Sequence, residues 1–337
     1  MTIFVFAILL AVLFLPFFVR SVGDHLEAFI FLAGLLTALF SGVMDADLLQ
    51  RAIRDPVPIT LAVLIAGLLF KWLQRPLERG VVCAAQGLSL PLFAALTVFL
   101  LGLASSLITA VVSALVLVTI ADILPLAREA KLRFVVIACF SIGLGAVLTP
   151  LGEPLATIAT KQLNQDFWYL FRSLGPFILP ILLALGAIAY FSIRSTAASS
   201  FRHSGHPTES YSGIFLRGGS IYLFVVGLTL LGAGLAPYLV MWTSSLDAEW
   251  LYWLNMISAA VDNATLTAAE VHPELEPKQI QMILLGLLVS GGMLIPGNIP
   301  NIVAANKLSI SSWEWARIGL PLGLSLMGLL FLFLTLR

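Results

Sequence analysis

The sequence has few charged residues: Asp, Glu, Lys and Arg make up 11% of its 337 residues, against about a quarter in soluble domains. The formal net charge is zero, so the chain has no basic surplus with which to bind nucleic acid. Hydrophobic residues make up 60% of the chain, and the mean hydropathy is +1.02. This composition excludes an ordinary soluble domain and predicts an all-α polytopic membrane protein embedded in a lipid bilayer.

Cysteine and histidine are also scarce. Cys83 and Cys139 lie in or beside apolar segments, and their spacing matches neither a metal motif nor a redox motif. The four histidines do not form a zinc-protease pattern. We therefore expect no transition-metal site, no cofactor and no enzymatic activity. Residues 1–16 lack a basic region and a small-residue cleavage site, so we interpret them as part of the first span.

Apolar segments long enough to cross a bilayer are the main feature of the chain. They predict transmembrane spans at 2–19, 26–44, 57–72, 167–192, 214–240 and 312–336. Two more apolar stretches have polar centres, Ser105-Ser106 within 87–124 and Asp262-Asn263 within 249–272. We interpret both as helical hairpins with tips at these polar residues, since one straight helix over 87–124 would be too long for a single crossing. Re-entrant hairpins and pairs of full spans both fit the pattern.

Two segments share an unusual motif. Residues 148–163 read LTPLGEPLATIATKQL and residues 294–308 read LIPGNIPNIVAANKL; each has two prolines four residues apart and a lysine seven residues after the second proline. A proline removes a hydrogen-bond donor and clashes with the preceding turn. The motif therefore predicts helix breaks at 150–154 and 296–300. Irregular backbone at membrane depth persists only where protein or a water-filled cavity surrounds it.

The order span, hairpin, broken span, span occurs twice. It predicts two N-terminal spans in 1–56, a first repeat in 57–192, a polar Ser-rich linker in 193–213 and a second repeat in 214–337. Because a hairpin returns to its starting side, each repeat crosses an odd number of times, so the two repeats are inverted. Lys and Arg concentrate on one side, and the positive-inside rule assigns this side and the linker to the cytoplasm. Both termini are then outside, with the protein in the cell (inner) membrane.

The polar residues at the tips and breaks form the predicted cation- and proton-binding site. They are Ser105, Ser106, Gly152, Glu153, Asp262, Asn263, Thr265, Gly297 and Asn298. Their carboxylate, hydroxyl, amide and carbonyl oxygens are ligands that suit a hard cation such as Na⁺. Asp262 is the sharpest candidate, because an ionisable residue in an apolar span is costly and indicates function. A structural ion pair is the alternative role for Asp262, and an N-cap anion is the alternative for Glu153.

Three charged residues near these segments have less specific interpretations. Lys161 and Lys307 either pair with the site carboxylates or extend to the lipid headgroups. Glu270 follows the second tip on the return arm and directly precedes HPELEPK. We interpret Glu270 as a residue of the membrane interface.

This arrangement resembles the ion transporter superfamily. The Asp-Asn pair in AAVDNATLTAAEV is similar to the Asp-Asn or Asn-Asn motifs of NhaD-type sodium/proton antiporters and arsenite permeases, and PGNIPNIVAANKL is closest to a small family of uncharacterised predicted cation transporters. The resemblance covers about 57–337. It implies a homodimer with a scaffold part and a mobile part that holds both hairpins, and an ion site at the tips and breaks. The Ser-Ser first tip departs from the Asn that relatives usually carry, and the Ser-Asn-Thr triplets of dicarboxylate carriers are absent.

These features predict a secondary active transporter, and the leading hypothesis is a sodium (monovalent cation)/proton antiporter that works by alternating access. Asp262 would bind the cation or the proton, but not both at once. The alternative is sodium-coupled symport of a small carboxylate or oxyanion, with Lys161, Lys307 and helix N-termini facing the substrate. A channel or another membrane protein without coupled transport is the third class.

Overall fold

The computed structural model consists of helices throughout the part of the chain that it describes, with no strand there. The described residues are 2–19, 21–22, 25–58, 60–61, 64–65, 68, 72, 87–194, 211–243, 246–259, 263–271 and 273–336. In chain order the helices are α1 (Thr2–Phe18), α2 (Leu26–Ser41), α3 (Ala46–Arg54), α4 (Leu90–Ile108), α5 (Ala110–Ile123), α6 (Arg128–Ala146), α7 (Pro154–Gln162), α8 (Tyr169–Arg194), α9 (Tyr211–Thr243), α10 (Ala248–Leu254), α11 (Asn263–Glu270), α12 (Pro277–Gly291), α13 (Ile299–Leu308) and α14 (Ser312–Leu336). Two short 3₁₀ helices cover Asn255–Ala259 and Ile295–Gly297.

Four of the described helices are long and apolar enough to cross a membrane. They contain the stretches Leu90–Ile108, Tyr169–Ile193, Tyr211–Tyr238 and Ser312–Leu336. Shorter apolar helices are found at Phe4–Pro16, Leu26–Ser41 and Ala110–Ile123. The class predicted from composition, an all-α polytopic membrane protein, is confirmed. Half of the predicted span 57–72 and most of the linker 193–213 lie outside the described residues.

The first hairpin, α4 and α5, turns a few residues later than the sequence suggests. Helix α4 continues through Ser105 and Ser106. Both serine hydroxyls donate to carbonyls of the preceding turn of the same helix, a bond that lets serine sit inside a helix. The chain reverses at Thr109, whose φ of 74° lies in the left-handed region that non-glycine residues rarely adopt.

The second hairpin is built from α10, the 3₁₀ helix that follows it, and α11. Its first arm ends at Ala259 and its return arm begins at Asn263. Residues 260–262, including Asp262, lie outside the described part of the chain, as does the side chain of Thr265.

Both helices that carry the proline motif are interrupted. Helix α6 ends before a non-helical segment that leads into α7, and α12 ends before the 3₁₀ helix Ile295–Gly297 that leads into α13. These interruptions, at 147–153 and 292–298, are called break 1 and break 2 below, and they overlap the predicted positions 150–154 and 296–300. In each case the second proline of the motif lies in the first turn of the new helix, where the missing N–H has no intrahelical partner to lose.

The two halves of the chain pack reciprocally around these breaks. Helix α7, which follows break 1, packs on α11, the return arm of the second hairpin. Helix α13, which follows break 2, packs on α5, the return arm of the first hairpin. These two contacts between the halves bring both breaks and the ends of both hairpins to one place in the molecule.

Helices α2 and α9 pack at unusually short distance through glycine. An ideal Cβ on Gly34 would lie 2.2 Å from the carbonyl oxygen of Gly227, and one on Gly234 would lie 2.8 Å from the backbone of Thr37. Small residues let backbones approach closely where lipid provides no hydrophobic drive for association. Helix α3 also packs on α9, with Leu48 and Ala52 buried. We call α2, α3 and α9 the platform.

A similarly close backbone contact joins α6 to the first hairpin, and a glycine substitution tests this contact. An ideal Cβ on Gly145 would lie 1.7 Å from the carbonyl oxygen of Gly102. We expect Gly145→Ala to lower the midpoint of thermal unfolding in detergent, because overpacking costs about 1–3 kcal/mol. The control is Gly175→Ala in helix α8, where no atom lies within 4 Å of the added Cβ. Equal midpoints for the two variants would contradict this helix crossing.

Candidate functional site

A small cavity of about 50 Å³ lies where four of the described helices begin, α5, α7, α11 and α13. We call it the central cavity. The residues that line it are Ala110, Val111, Gly152, Glu153, Pro154, Leu155, Leu228, Asn263, Ala264, Pro296, Gly297, Asn298 and Ile299. Both breaks and both hairpins therefore contribute to its wall, together with one residue of the platform.

The first half builds its side of the cavity with backbone hydrogen bonds. The N–H of Ala110 donates to the carbonyl oxygen of Gly152 over 2.9 Å. The hydroxyl of Thr149 donates to the carbonyl oxygen of Ser106. An ideal Cβ on Gly152 would lie 1.9 Å from the carbonyl oxygen of Ala146, so only glycine fits there. These contacts tie break 1 to the turn of the first hairpin.

Glu153 occupies the N-cap position of α7 and is only 8% exposed. Its backbone is extended, with φ −156° and ψ 159°. A carboxylate at this position faces the positive end of the helix dipole, which stabilises the negative charge. Glu153 also lines the cavity, so the N-cap role and the site role considered for this residue are compatible.

The second half closes its break with side chains. The amide nitrogen of Asn301 donates to the carbonyl oxygens of Gly291 and Leu294, each over 2.8 Å. The indole N–H of Trp315 donates to the carbonyl oxygen of Gly292 over 3.1 Å. Three backbone carbonyl groups at the break thus accept hydrogen bonds from side chains, as buried backbone requires.

Two amide oxygens at the site lack such donors. Oδ1 of Asn263, in the cavity wall, and Oδ1 of Asn301, beside it, are buried and accept no hydrogen bond from any described residue. A buried polar atom left in this state costs about 1–3 kcal/mol. A cation or a donor group of a ligand would remove this cost at Asn263.

The structure brings together five of the predicted site residues and keeps others apart. Gly152, Glu153, Asn263, Gly297 and Asn298 all line the central cavity. Asp262 directly precedes Asn263 in the chain, and its role stays a prediction, as does that of Thr265.

The other predicted residues are not brought to the cavity. The hydroxyl of Ser105 contacts carbonyl oxygens of α4 and α6, that of Ser106 donates within α4, and neither residue is among the described lining residues. Lys161 lies on the exposed face of α7 and Lys307 near the end of α13, and neither belongs to the described wall. Helix geometry explains why both lysines lie away from the cavity, since seven residues beyond the second proline correspond to about 10 Å along the helix axis.

A buried polar network beside the second hairpin was not predicted from the sequence. Glu270, interpreted from the sequence as a residue of the membrane interface, is only 5% exposed and lies inside the protein. Its carboxylate accepts a hydrogen bond from the side-chain amide of Asn255 over 2.9 Å. The hydroxyl of Ser290 donates to the carbonyl oxygen of Asn255 over 2.7 Å and contacts the hydroxyl of Ser258. The one available signal was Ser290 itself, the sole hydroxyl residue in the apolar sequence of α12.

The closure of break 2 by Asn301 predicts a stability effect. Asn301→Ala would remove the side-chain donor to the carbonyl of Gly291 and leave the carbonyl of Leu294 with only the 3.4 Å hydrogen bond from the N–H of Gly297. A buried carbonyl left without a donor costs about 1–3 kcal/mol. We expect a lower midpoint of thermal unfolding in detergent. Asn301→Asp keeps the size but replaces the donor with an acceptor, so it should destabilise at least as much. Gln165→Ala, exposed after α7, is the control, and a wild-type midpoint for Asn301→Ala would argue against this role.

One protein family matches both halves of the chain. The family described as "Protein of unknown function (DUF1646)" matches residues 2–336, which include both hairpins, both breaks and the platform. No curated protein matches the chain. Since the match extends over far more than half of the sequence, the chain belongs to the DUF1646 family.

Proposed function

We propose that the protein is a secondary active transporter that exchanges Na⁺, or another monovalent cation, for protons by alternating access. The central cavity carries this proposal, because it joins two helix breaks and two hairpins around Glu153, Asn263 and Asn298. Interrupted helices that meet in this way are typical of the substrate and ion sites of secondary transporters.

The size of the central cavity favours a small ion. Its volume is about 50 Å³, whereas pockets for organic ligands usually measure about 300–1,000 Å³. A single water needs only about 10–15 Å³ on this measure, so the cavity has room for an ion with a few waters. A dicarboxylate would require a considerably wider form of the site.

The ligands around the cavity favour a hard cation. The carboxylate of Glu153 and the amide oxygen of Asn263 are oxygen donors of the kind that such ions prefer. Asp262, next to Asn263, is expected to supply a second carboxylate. A carboxylate that binds a proton loses its charge, and with it most of its affinity for a cation. Competition of this kind is the chemical basis of cation/proton exchange.

One observation favours the second candidate, sodium-coupled symport of a small carboxylate or oxyanion. The N-termini of α5, α7, α11 and α13 all reach the central cavity, and each carries about half a positive charge. Such ends bind anions readily. Glu153 and Asp262 offset these dipoles with charge from the protein itself, and neither Lys161 nor Lys307 is in the described wall. For these reasons, and because the volume of the central cavity is small, cation exchange is the better supported function.

Alternating access needs a fixed part and a moving part. We assign the fixed part to the platform, whose helices α2 and α9 are joined through Gly34, Gly227 and Gly234. The moving part comprises the two hairpins with α7 and α13, which hold the cavity between them. A homodimer in the cell membrane, with cytoplasmic linker 193–213, belongs to the same proposal.

The proposal is tested by ion flux in liposomes that contain the purified protein. We expect Glu153→Gln and Asp262→Asn each to reduce sodium-dependent proton flux at least about tenfold, a loss of about 1.4 kcal/mol or more. The physical reason is that an amide neither holds the exchanged proton nor attracts the cation. The measurement is the fluorescence of a pH-sensitive dye inside the liposomes after a sodium jump.

Glu129→Gln is the matched control, because the Glu129 side chain is 67% exposed on the surface of α6. It should leave the flux unchanged. Normal flux in both site variants would refute the proposed site. Counterflow of a labelled dicarboxylate, with no effect of a proton gradient, would favour the anion symporter. An uncoupled current that is linear in voltage would indicate a channel.

A further inference from the structure

A second and larger cavity lies beside the platform. It has a volume of about 310 Å³ and is partly open to the outside of the molecule. Its polar wall includes Glu27 at the start of α2, Ser220 on α9, Asn306 on α13 and Ser312 at the start of α14. We call it the outer cavity.

The outer and central cavities follow one another along the same seam between α9 and α13, two helices that contact each other. On α9, Ile221 and Phe224 line the outer cavity and Leu228 lines the central one. Positions i, i+3 and i+7 lie on one face of a helix. The face of α9 that borders the outer cavity therefore continues directly to the central cavity.

Helix α13 has the same arrangement. Ile299 lines the central cavity, while Ile302 and Asn306 line the outer one, again at i, i+3 and i+7. At break 2 the division falls between adjacent residues, with Ile295 in the outer wall and Pro296 in the central wall. The two cavities are thus neighbours, separated by a thin layer of apolar side chains.

The apolar layer consists of buried side chains from both helices. Phe224 and Leu228 on α9 and Ile302 on α13 are each nearly inaccessible. A layer of this kind excludes ions, because moving a charge through apolar surroundings without ligands is costly. A modest separation of α9 and α13 would open it.

The wall of the outer cavity has the chemistry of a cation site. Glu27 is the one ionisable residue among the described residues that line it. The hydroxyl oxygen of Ser312, a residue only 6% exposed, has no hydrogen-bond partner among the described residues. This orphan oxygen, independent of Glu27, is a second group suited to a cation or its hydration water. Amide and hydroxyl oxygens of Asn306 and Ser220 complete an oxygen-rich wall.

Arg128, which contacts the backbone beside this cavity, is already engaged. Arg128 donates to the carbonyl oxygens of Leu308 and Ser309, over 2.9 and 2.8 Å. It also pairs with Glu314 over 3.1 Å, and Glu314 in turn accepts hydrogen bonds from Ser311. Glu27 alone supplies the net charge of the described lining residues, and beside them Arg128 and Glu314 neutralise each other. Lys307 adjoins Asn306 in sequence but is not a lining residue.

We propose that the outer cavity is a second cation-binding site, which receives a hydrated monovalent cation from solution before it passes to the central cavity. Glu27 attracts the cation, the oxygens of Ser312 and Asn306 contact its hydration shell, and Phe224, Leu228 and Ile302 separate the two sites. The inference rests on the proposed cation transport. The charge count places this side of the protein, with Arg128 and the starts of α2 and α9, in the cytoplasm.

A binding assay tests the outer site apart from transport. Ser309→Cys, at an exposed lining residue whose side chain has no role in the proposed site, is introduced into the Glu153→Gln variant of a chain in which Cys83 and Cys139 are replaced by Ala. Its rate of reaction with a charged thiol reagent is measured. We expect Na⁺ to slow labelling about tenfold at about ten times its dissociation constant, because labelling requires the vacant site. N-methylglucamine at equal ionic strength should not protect, which separates binding from screening.

Variants of Glu27 decide whether its charge is responsible. Glu27→Gln should abolish the protection by Na⁺, whereas Glu27→Asp should keep most of it and also shows that the region still folds. Glu249→Gln, in the first turn of α10 as Glu27 is in the first turn of α2, is the matched control. Absence of labelling, absence of protection, or equal protection in Glu27→Gln would overturn the outer site even if transport is confirmed.

The flux assay separates this inference from the proposed function. With Glu153 intact, Glu27→Gln should raise the KM for Na⁺ about tenfold with little change in kcat, since the site increases local cation concentration without taking part in exchange. A fall in kcat at unchanged KM would contradict this role. Protection by Na⁺ in a protein that transports no cation would uphold the outer site and refute the proposed function.

Discussion

The structure depends on how two interrupted helices satisfy their backbone hydrogen bonds away from water. In hydrocarbon, each unpaired N–H or carbonyl costs several kcal/mol, so a break persists only with donors and acceptors in place. At break 1, the N–H of Ala110 donates to Gly152. At break 2, Asn301 and Trp315 donate to the carbonyls that α12 leaves over. These bonds fasten the breaks to their surroundings and so determine where the hairpins end.

The central cavity forms because these hydrogen bonds hold both breaks and both hairpins in place. Because α7 packs on α11 and α13 on α5, four helix N-termini converge, and their dipoles produce a positive potential. A vacant, positive and water-poor chamber would be unfavourable, and the carboxylate of Glu153 at an N-cap reduces that potential. Oxygen ligands, helix dipoles and a protonatable group thus occupy one small volume, the combination that coupled exchange of cations and protons requires.

The contacts of α9 differ along its two faces, as the proposed alternating access requires. Toward α2 it packs through glycine, with backbone against backbone at Gly227 and Gly234, a contact that tolerates little sliding. Toward α13 it borders two cavities with only Phe224, Leu228 and neighbouring apolar side chains between them. Motion along the second face would expose the central cavity while the platform stays intact. The match to the DUF1646 family covers residues 2–336 and therefore includes all of α9.

The sequence alone determined the membrane class, the two breaks and the inclusion of Glu153 and Asn263 in one site, because hydropathy and proline chemistry act locally. Tertiary structure decided the rest. Ser105 and Ser106 could end a helix or bond back into it, and packing against α6 selected the second outcome. Glu270 could face water or the interior, and the network with Asn255 and Ser290 holds it inside. Which helix faces meet is a property of the whole assembly, so the size of the central cavity and the existence of the outer cavity could not be predicted from local sequence.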